Sequence, residues 1–192
     1  PKIQKEAEQR AIEFLKKEYA FDGRSGERTA KFIQSLIKNK KFEHRVTALK
    51  DGIIDATIKL YISCSNTFKA TPAKTHYLFN LRDVSRVFQG ISKSSYLSIR
   101  DEVELIKLWI HESQRVFRDR LVNEEDKSQF DILITDVMKK DLKRDYSIFS
   151  QKPILFANFV PIIPNEDPNK PLYEGLYCEI TDMNKVKHRL QD

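Results

Sequence analysis

The feature that most constrains the fold is a stripe of apolar residues that starts at Val46 and repeats with helical spacing. Its members are Val46, Leu49, Ile53, Ala56, Leu60 and Cys64. Intervals of three and four positions, sustained over about five turns, place these side chains on one face of an α-helix. Pro72 predicts that this helix has already ended, because the residue before a proline avoids helical geometry.

Three further segments carry stripes of the same kind. Their apolar positions are Val84, Val87, Phe88 and Ile91; then Val103, Ile106, Trp109 or Ile110, Ser113, Val116, Phe117 and Leu121; then Phe130, Leu133, Ile134, Val137, Met138 and Leu142. The middle stripe is nearly continuous in width, which predicts a central helix with neighbours on two sides. Ser98 with Asp101 is a candidate cap for that helix, and Asn123 is one for the next. From Val46 to about Lys143 the chain is therefore predicted to be mainly α-helical.

The two flanking regions differ from this helical centre. Residues 1–45 contain two predicted helices, at 3–20 and 29–39, and receive no assignment beyond an N-terminal helical segment. Residues 149–192 hold five of the chain's seven prolines, which predicts an extended connector with a short strand within 154–159. A last helix is predicted to begin at Thr181, and its end without a cap indicates that a longer protein continues beyond Asp192.

Several kinds of site are not expected in this chain. Its five glycines form no phosphate loop, dinucleotide fingerprint or nucleophile elbow. Cys64 and Cys178 are far apart, and the four histidines are scattered, so neither a disulfide framework nor a metal set is predicted. No apolar run is long enough to span a membrane, and the chain is predicted to be soluble and intracellular. No catalytic residue is predicted, and an enzyme complete within these residues is not expected.

The net charge of +6 indicates a mild attraction to anions. One interpretation is a basic helical module that binds nucleic acid or an acidic protein surface, with Tyr61, Phe68, Tyr77 and Phe79 stacking on bases. Two patterns favour a simpler account. Acidic and basic residues are interleaved along the chain, as on an ordinary solvated surface, and those aromatic residues lie where a helical core would use them.

The stretch HYLFNLRDVSRVFQG, residues 76–90, contains the start of a helix. Asn80 and Asp83 have the spacing of a capping box. Phe79 and Val84 occupy the two positions of a hydrophobic staple. Gly90 is predicted to lie near the end of this helix.

Two arginines on this helix are candidate binding residues. Arg82 falls in the first turn, where the helix dipole disfavours a cation unless an anion is nearby, and Arg86 follows one turn later. In a generic helix the more common arrangement is an ion pair with Asp83 or with an acid of a neighbouring helix. The functional alternative is that the helix start and its arginines address a phosphate group.

A longer pattern resembles a known family. The segments TPAKTHYLFNLRDVSRVFQGI, LIKLWIHESQRVFRDRLVNEEDK and PILFANFV, in this order, are similar to dynein heavy chains of the axonemal type, at the end of the third AAA+ module of the motor ring and leading into the fourth. The resemblance covers residues 46–192. It implies that residues 46–148 are the small helical lid subdomain of that module and that residues 149–192 connect to the next one.

The resemblance also implies a function. Arg82, and Arg86 as a second candidate, would be the sensor 2 arginine that reaches the nucleotide phosphates. The parent would be an ATP-driven, minus-end-directed microtubule motor that uses ATP or ADP with Mg²⁺, while the fragment would hold no cofactor and would be inactive alone. Expected partners are the neighbouring AAA+ subdomains, microtubules and dynein intermediate and light chains, with no membrane and no nucleic acid. The expected location is the cytoskeleton, in the axoneme or the cytoplasm.

Overall fold

The computed structural model describes residues 46, 48–96, 98–149, 153–158 and 176–180. These residues form the helices α1 (Lys50–Thr67), α2 (Leu81–Ile91), α3 (Glu102–Val116) and α4 (Glu124–Val137), with short helical turns at Arg118–Arg120, Met138–Leu142 and Tyr146–Ile148. Strands β1 (Phe156–Ala157) and β2 (Cys178–Glu179) pair antiparallel. The mainly α-helical prediction is confirmed, and β1 lies within the predicted strand. The helices predicted before residue 46 and from Thr181 lie outside the described residues.

Helix α3 buries a wide face, with eight of its residues buried from Leu105 to Val116. It packs against α2, while α1 packs against α4 and also contacts α2. The Trp109 side chain of α3 is fully buried, and its indole nitrogen donates a hydrogen bond to Thr57 Oγ1 of α1 at 2.8 Å. Thr57 in turn donates to the carbonyl of Ile53 at 2.6 Å. The one polar atom of the indole is therefore satisfied inside the core, as burial requires.

Two predictions about α3 are wrong. Ser98 does not cap it: the N-cap is Asp101, whose side chain accepts from the Glu104 amide at 2.8 Å. Ser98 Oγ instead accepts from the amide of Ser95 at 3.0 Å, so the hydroxyl is used within its own turn. Val103 is 46% exposed because it lies in the first turn of the helix, on the side away from the core. The remaining members of the predicted stripe are buried.

Gly90 also has a role other than the one its position predicts. Helix α2 ends at Ile91 with Ser92 as its C-cap in right-handed geometry, so Gly90 lies inside the last turn. A Cβ atom on Gly90 would lie 1.9 Å from Glu112 Oε2 of α3. A glycine is required here by the close approach of a neighbouring side chain, and not by a left-handed helix end.

Candidate functional site

The start of α2 is fixed by its own sequence. Asn80 is the N-cap, and its side chain accepts a hydrogen bond from the Arg82 amide at 2.9 Å. Asp83 Oδ2 accepts from the Asn80 amide at 2.9 Å, which completes the predicted capping box. The helix therefore begins at Leu81 for a local reason, and the first-turn position of Arg82 follows from it.

Asp83 is also the centre of a buried ion pair. Its side chain is 2% exposed, and the guanidinium of Arg120 donates to both of its carboxylate oxygens, at 2.6 Å to Oδ1 and 3.1 Å to Oδ2. This two-point geometry is the strong form of an arginine–carboxylate pair. Because Arg120 follows α3 in the chain, the pair connects the end of α3 to the start of α2.

Arg120 makes further contacts with the residues that precede α2. Its guanidinium donates to the carbonyl of Leu78 at 2.9 Å and lies 4.9 Å from the centre of the Phe79 ring. The Phe79 ring contacts the rings of Phe68, Tyr77 and Phe117. The segment that precedes α2 is thus held in place by one arginine and one aromatic cluster.

The two predicted site residues lie on the outside of this arrangement. Arg82 and Arg86 are both exposed. Arg86 makes one long contact, 3.4 Å from its NH1 to Asp83 Oδ1, and its side chain is 52% exposed. The side chain of Arg82 has no hydrogen-bond or ion-pair partner among the described residues. The start of α2 therefore presents two cations to solvent, while Arg120 already neutralises the nearest carboxylate.

A second buried carboxylate lies at the opposite end of α2. Glu112 of α3 is 1% exposed and accepts from Arg115 Nε at 2.9 Å and NH2 at 2.6 Å, both to Oε2. Tyr177 donates its hydroxyl to Oε1 at 2.6 Å. Burial, and then the hydrogen bond to Glu112, raise the pKa of Tyr177. Because Gly90 lies directly against this carboxylate, Glu112 joins α2, α3 and the residue immediately before strand β2.

Further contacts attach the strand pair to α3. Lys107 donates to both carboxylate oxygens of Glu179, at 2.9 and 2.8 Å. His111 Nδ1 lies 3.1 Å from the carbonyl of Ile154, and its ring packs against those of Phe156 and Tyr177. Burial lowers the pKa of His111 below the ordinary value of 6.5. The side of α3 that carries these residues therefore holds the strand pair and the residues next to it.

Sequence reasoning missed Arg120, Glu112 and Tyr177. Arg120 lies 37 positions from Asp83, and Tyr177 lies 65 positions from Glu112, so no local pattern joins the partners. A signal was available for Glu112: it falls within the wide buried stripe of α3 and has an arginine three positions later. A carboxylate in such a place must be paired.

The rest of the described chain offers little further chemistry. A cleft of about 730 Å³ opens between α3, α4 and the connector, and its polar side chains are already paired, Arg118 with Asp131 and Gln114 with Tyr146. In the part of the chain that the structure describes, no three His, Cys, Asp or Glu residues are arranged to hold a metal ion. None of the described helices is long and apolar enough to cross a membrane.

Comparison with known proteins agrees with the helical architecture. Residues 53–147 match the family model of the AAA+ lid domain. Dynein axonemal heavy chain 1 of Homo sapiens is 35% identical over 167 residues, which cover 84% of this chain and 4% of the relative. The protein of the same name from Mus musculus is 40% identical over 144 residues, covering 75% and 3%. The flagellar outer-arm dynein beta chain of Chlamydomonas reinhardtii is 32% identical over 137 residues, covering 70% and 3%. This chain spans only a small part of each relative.

Proposed function

Since this chain is an AAA+ lid segment of the dynein heavy-chain family, we propose that the start of α2 binds a phosphate group of the nucleotide in the parent module. Arg82 makes the contact and Arg86 assists it. The observation that carries this proposal is the exposure of both arginines beside a carboxylate that Arg120 already neutralises.

The local electrostatics favour an anion at this position. The dipole of α2 adds partial positive charge to that of the arginines at the same helix end, so an anion there is stabilised by both. The amides that a helix start normally offers are partly used: Asn80 accepts from the Arg82 amide. The arginine side chains are therefore the donors available to a phosphate, and a guanidinium suits phosphate geometry.

Similarity to dynein heavy chains supports a further proposal about the role of the lid in its parent protein. The lid holds ATP or ADP with Mg²⁺ together with the large subdomain of the third AAA+ module, and it transmits a rigid-body rotation to the neighbouring module. The parent is an ATP-driven, minus-end-directed microtubule motor of the axoneme, with intermediate and light chains as partners. Phosphoryl transfer requires a phosphate cradle, a metal ion and a positioned nucleophile, of which the lid supplies at most a charge. The fragment alone is expected to be inactive.

The alternative function, a basic module that stacks on nucleic acid bases, has less support. Tyr61, Phe68 and Tyr77 are 3–4% exposed, so their rings are not available to a base. Titration of a labelled oligonucleotide separates the two functions. Tight binding with a steep dependence on salt would favour the nucleic-acid module, whereas absence of binding is the result we expect.

The direct test is Arg82→Ala in the parent heavy chain, with the phosphate-loop lysines of its other modules replaced so that one site is observed. Loss of a charged hydrogen bond is expected to weaken binding of a fluorescent ADP analogue by about 10- to 100-fold. Arg100→Ala, at an exposed arginine before α3, is the matched control and should leave the dissociation constant unchanged. If Arg82→Ala binds ADP as tightly as this control, the proposed role is wrong.

A further inference from the structure

We propose that Arg120 is a positioning residue for this phosphate site, because it occupies the carboxylate of Asp83 and so prevents it from pairing with Arg86. The inference rests on the proposed function of Arg82 and Arg86. Arg120 does not contact the nucleotide in this scheme. Its effect on binding passes through Asp83.

The hydrogen bonds to Asp83 show an order of strength. Oδ1 accepts from Arg120 NH2 at 2.6 Å and lies 3.4 Å from Arg86 NH1. Oδ2 accepts from Arg120 NH1 at 3.1 Å and from the Asn80 amide at 2.9 Å. Both oxygens are therefore filled by closer donors, and Arg86 has only the longest of the four contacts.

Burial follows the same order. The Asp83 side chain is 2% exposed and that of Arg120 is 20% exposed, whereas that of Arg86 is 52% exposed. The inner pair lies largely out of water, where an unpaired charge is costly. Arg86 is mostly hydrated, and an exposed ion pair of this kind contributes little. Arg86 can therefore turn to a phosphate at small cost while Arg120 stays in place.

Removal of Arg120 would reverse this arrangement. The buried carboxylate of Asp83 would lose its main partner, and the nearest cation is that of Arg86, already 3.4 Å away. Because a desolvated carboxylate attracts a cation more strongly than an exposed one does, Arg86 would be drawn inward. The net charge of the cluster formed by Arg82, Arg86, Arg120 and Asp83 would also change. Three arginines and one carboxylate carry two net positive charges toward the nucleotide, and without Arg120 they carry one.

A simpler role for Arg120 is structural, since it also binds the carbonyl of Leu78 and the ring of Phe79. The two roles predict different results when Asp83 is neutralised. If Arg120 acts by occupying the carboxylate, Asp83→Asn should compensate for its loss. If Arg120 only holds the backbone before α2, Asp83→Asn should add to the damage.

The experiment is a double-mutant cycle in the same parent heavy chain, with a fluorescent ADP analogue as the probe. Arg120→Gln is expected to weaken ADP binding by about tenfold, because Arg86 then pairs with Asp83 and its cation is lost from the phosphate site. Asp83→Asn alone should weaken it less than Arg120→Gln does, because Arg86 then has no buried carboxylate to pair with. The double variant should recover to within about threefold of the unchanged protein. A double variant that binds as weakly as Arg120→Gln, or more weakly, overturns the proposal.

Arg118→Gln is the matched control. Arg118 belongs to the same helical turn and makes the same kind of two-point pair, with Asp131 at 2.9 and 3.1 Å. This variant should lose a two-point ion pair, one whose carboxylate is 35% exposed, without changing ADP affinity. If Arg120→Gln does not fold, Arg120→Lys replaces it in the cycle. Because lysine keeps a charge near Asp83 and loses only the two-point geometry, the same direction with a smaller effect is expected.

The cycle also separates the two proposals. If Arg82→Ala leaves ADP affinity unchanged, the phosphate site itself is wrong. If Arg82→Ala weakens binding but Arg120→Gln does not, the phosphate site stands and only the positioning role of Arg120 is lost.

Discussion

The carboxylates of Asp83 and Glu112 lie near opposite ends of α2 and are almost equally buried, at 2% and 1% exposure. Each has one close arginine, at 2.6 Å, and Asp83 has in addition the longer contact of 3.4 Å to Arg86, three positions away. The close partners come from different distances along the chain. Asp83 has a local backbone donor, the Asn80 amide, and an arginine 37 positions away. Glu112 has a local arginine, three positions away, and a distant tyrosine, 65 positions away.

This difference gives the two ends of α2 different surroundings. At the Asp83 end the local donor sets where α2 begins, and the distant arginine leaves two further cations facing solvent. At the Glu112 end the distant partner is Tyr177, the residue immediately before β2, so the carboxylate attaches the start of this strand to α3. One end of α2 therefore carries the proposed anion site, and the other lies against Glu112, which binds the residue that precedes β2.

The largest expected effect is that of Gly90→Ala at the Glu112 end. The new methyl group would lie 1.9 Å from Glu112 Oε2, so the carboxylate must leave its partners or α2 must move. A loss of about 3 kcal/mol in the free energy of unfolding is expected from denaturant titration, from overpacking and a disrupted buried pair.

Gly52→Ala is the matched control, a substitution at the other glycine among the described helices. Its methyl group would meet Leu142 Cδ2 at 3.4 Å, an ordinary contact. This variant should be neutral or more stable by up to about 1 kcal/mol, because alanine restricts the unfolded chain. Equal changes in the free energy of unfolding at the two glycines would show that the close approach of Glu112 to Gly90 does not affect stability.

Smaller effects are expected when each carboxylate is replaced by its amide. Asp83→Asn leaves Arg120, 20% exposed, without a counter-ion, whereas Glu112→Gln leaves Arg115, which is 46% exposed and can be hydrated in place. We expect unfolding free energies lower by about 2 kcal/mol for Asp83→Asn and about 1 kcal/mol for Glu112→Gln. The reverse order in denaturant titrations would contradict the comparison.

The smallest effect is a dependence on pH at the connector end. Burial lowers the pKa of His111 below 6.5, against the opposing influence of Glu112. The unfolded chain therefore binds the proton more readily, and stability is complete above about pH 6.5 and falls as the pH drops through the folded value.

Comparison of the unsubstituted protein with His111→Gln measures this contribution. The difference in unfolding free energy between the two proteins should change by less than about 1 kcal/mol from pH 7.5 to pH 5.5. The unsubstituted protein should lose more stability in acid. His76→Gln, at an exposed histidine, serves as the control. A gain in stability of the unsubstituted protein in acid, relative to His111→Gln, would contradict the lowered pKa of His111.

Much of the fold could be predicted because it depends on patterns within a few turns. The apolar stripe of α1 and the capping box of α2 both express contacts between residues three or four positions apart. The errors at Ser98 and Val103 concern a helix end, where several polar residues compete for one role and only the geometry selects Asp101. Gly90 lies near the end of α2 as predicted, whereas its contact with Glu112 could not be read from local sequence.

The sequence by itself determined where α2 begins, and hence that Arg82 lies in its first turn, because the donors and acceptors of the capping box are a few residues apart. Only the tertiary structure decided what surrounds that turn. The pairing of Arg120 with Asp83 and of Tyr177 with Glu112 joins residues far apart in the chain. Such pairs form because packing brings two helices and a strand together, and a buried charge is stable only where that packing supplies its partner.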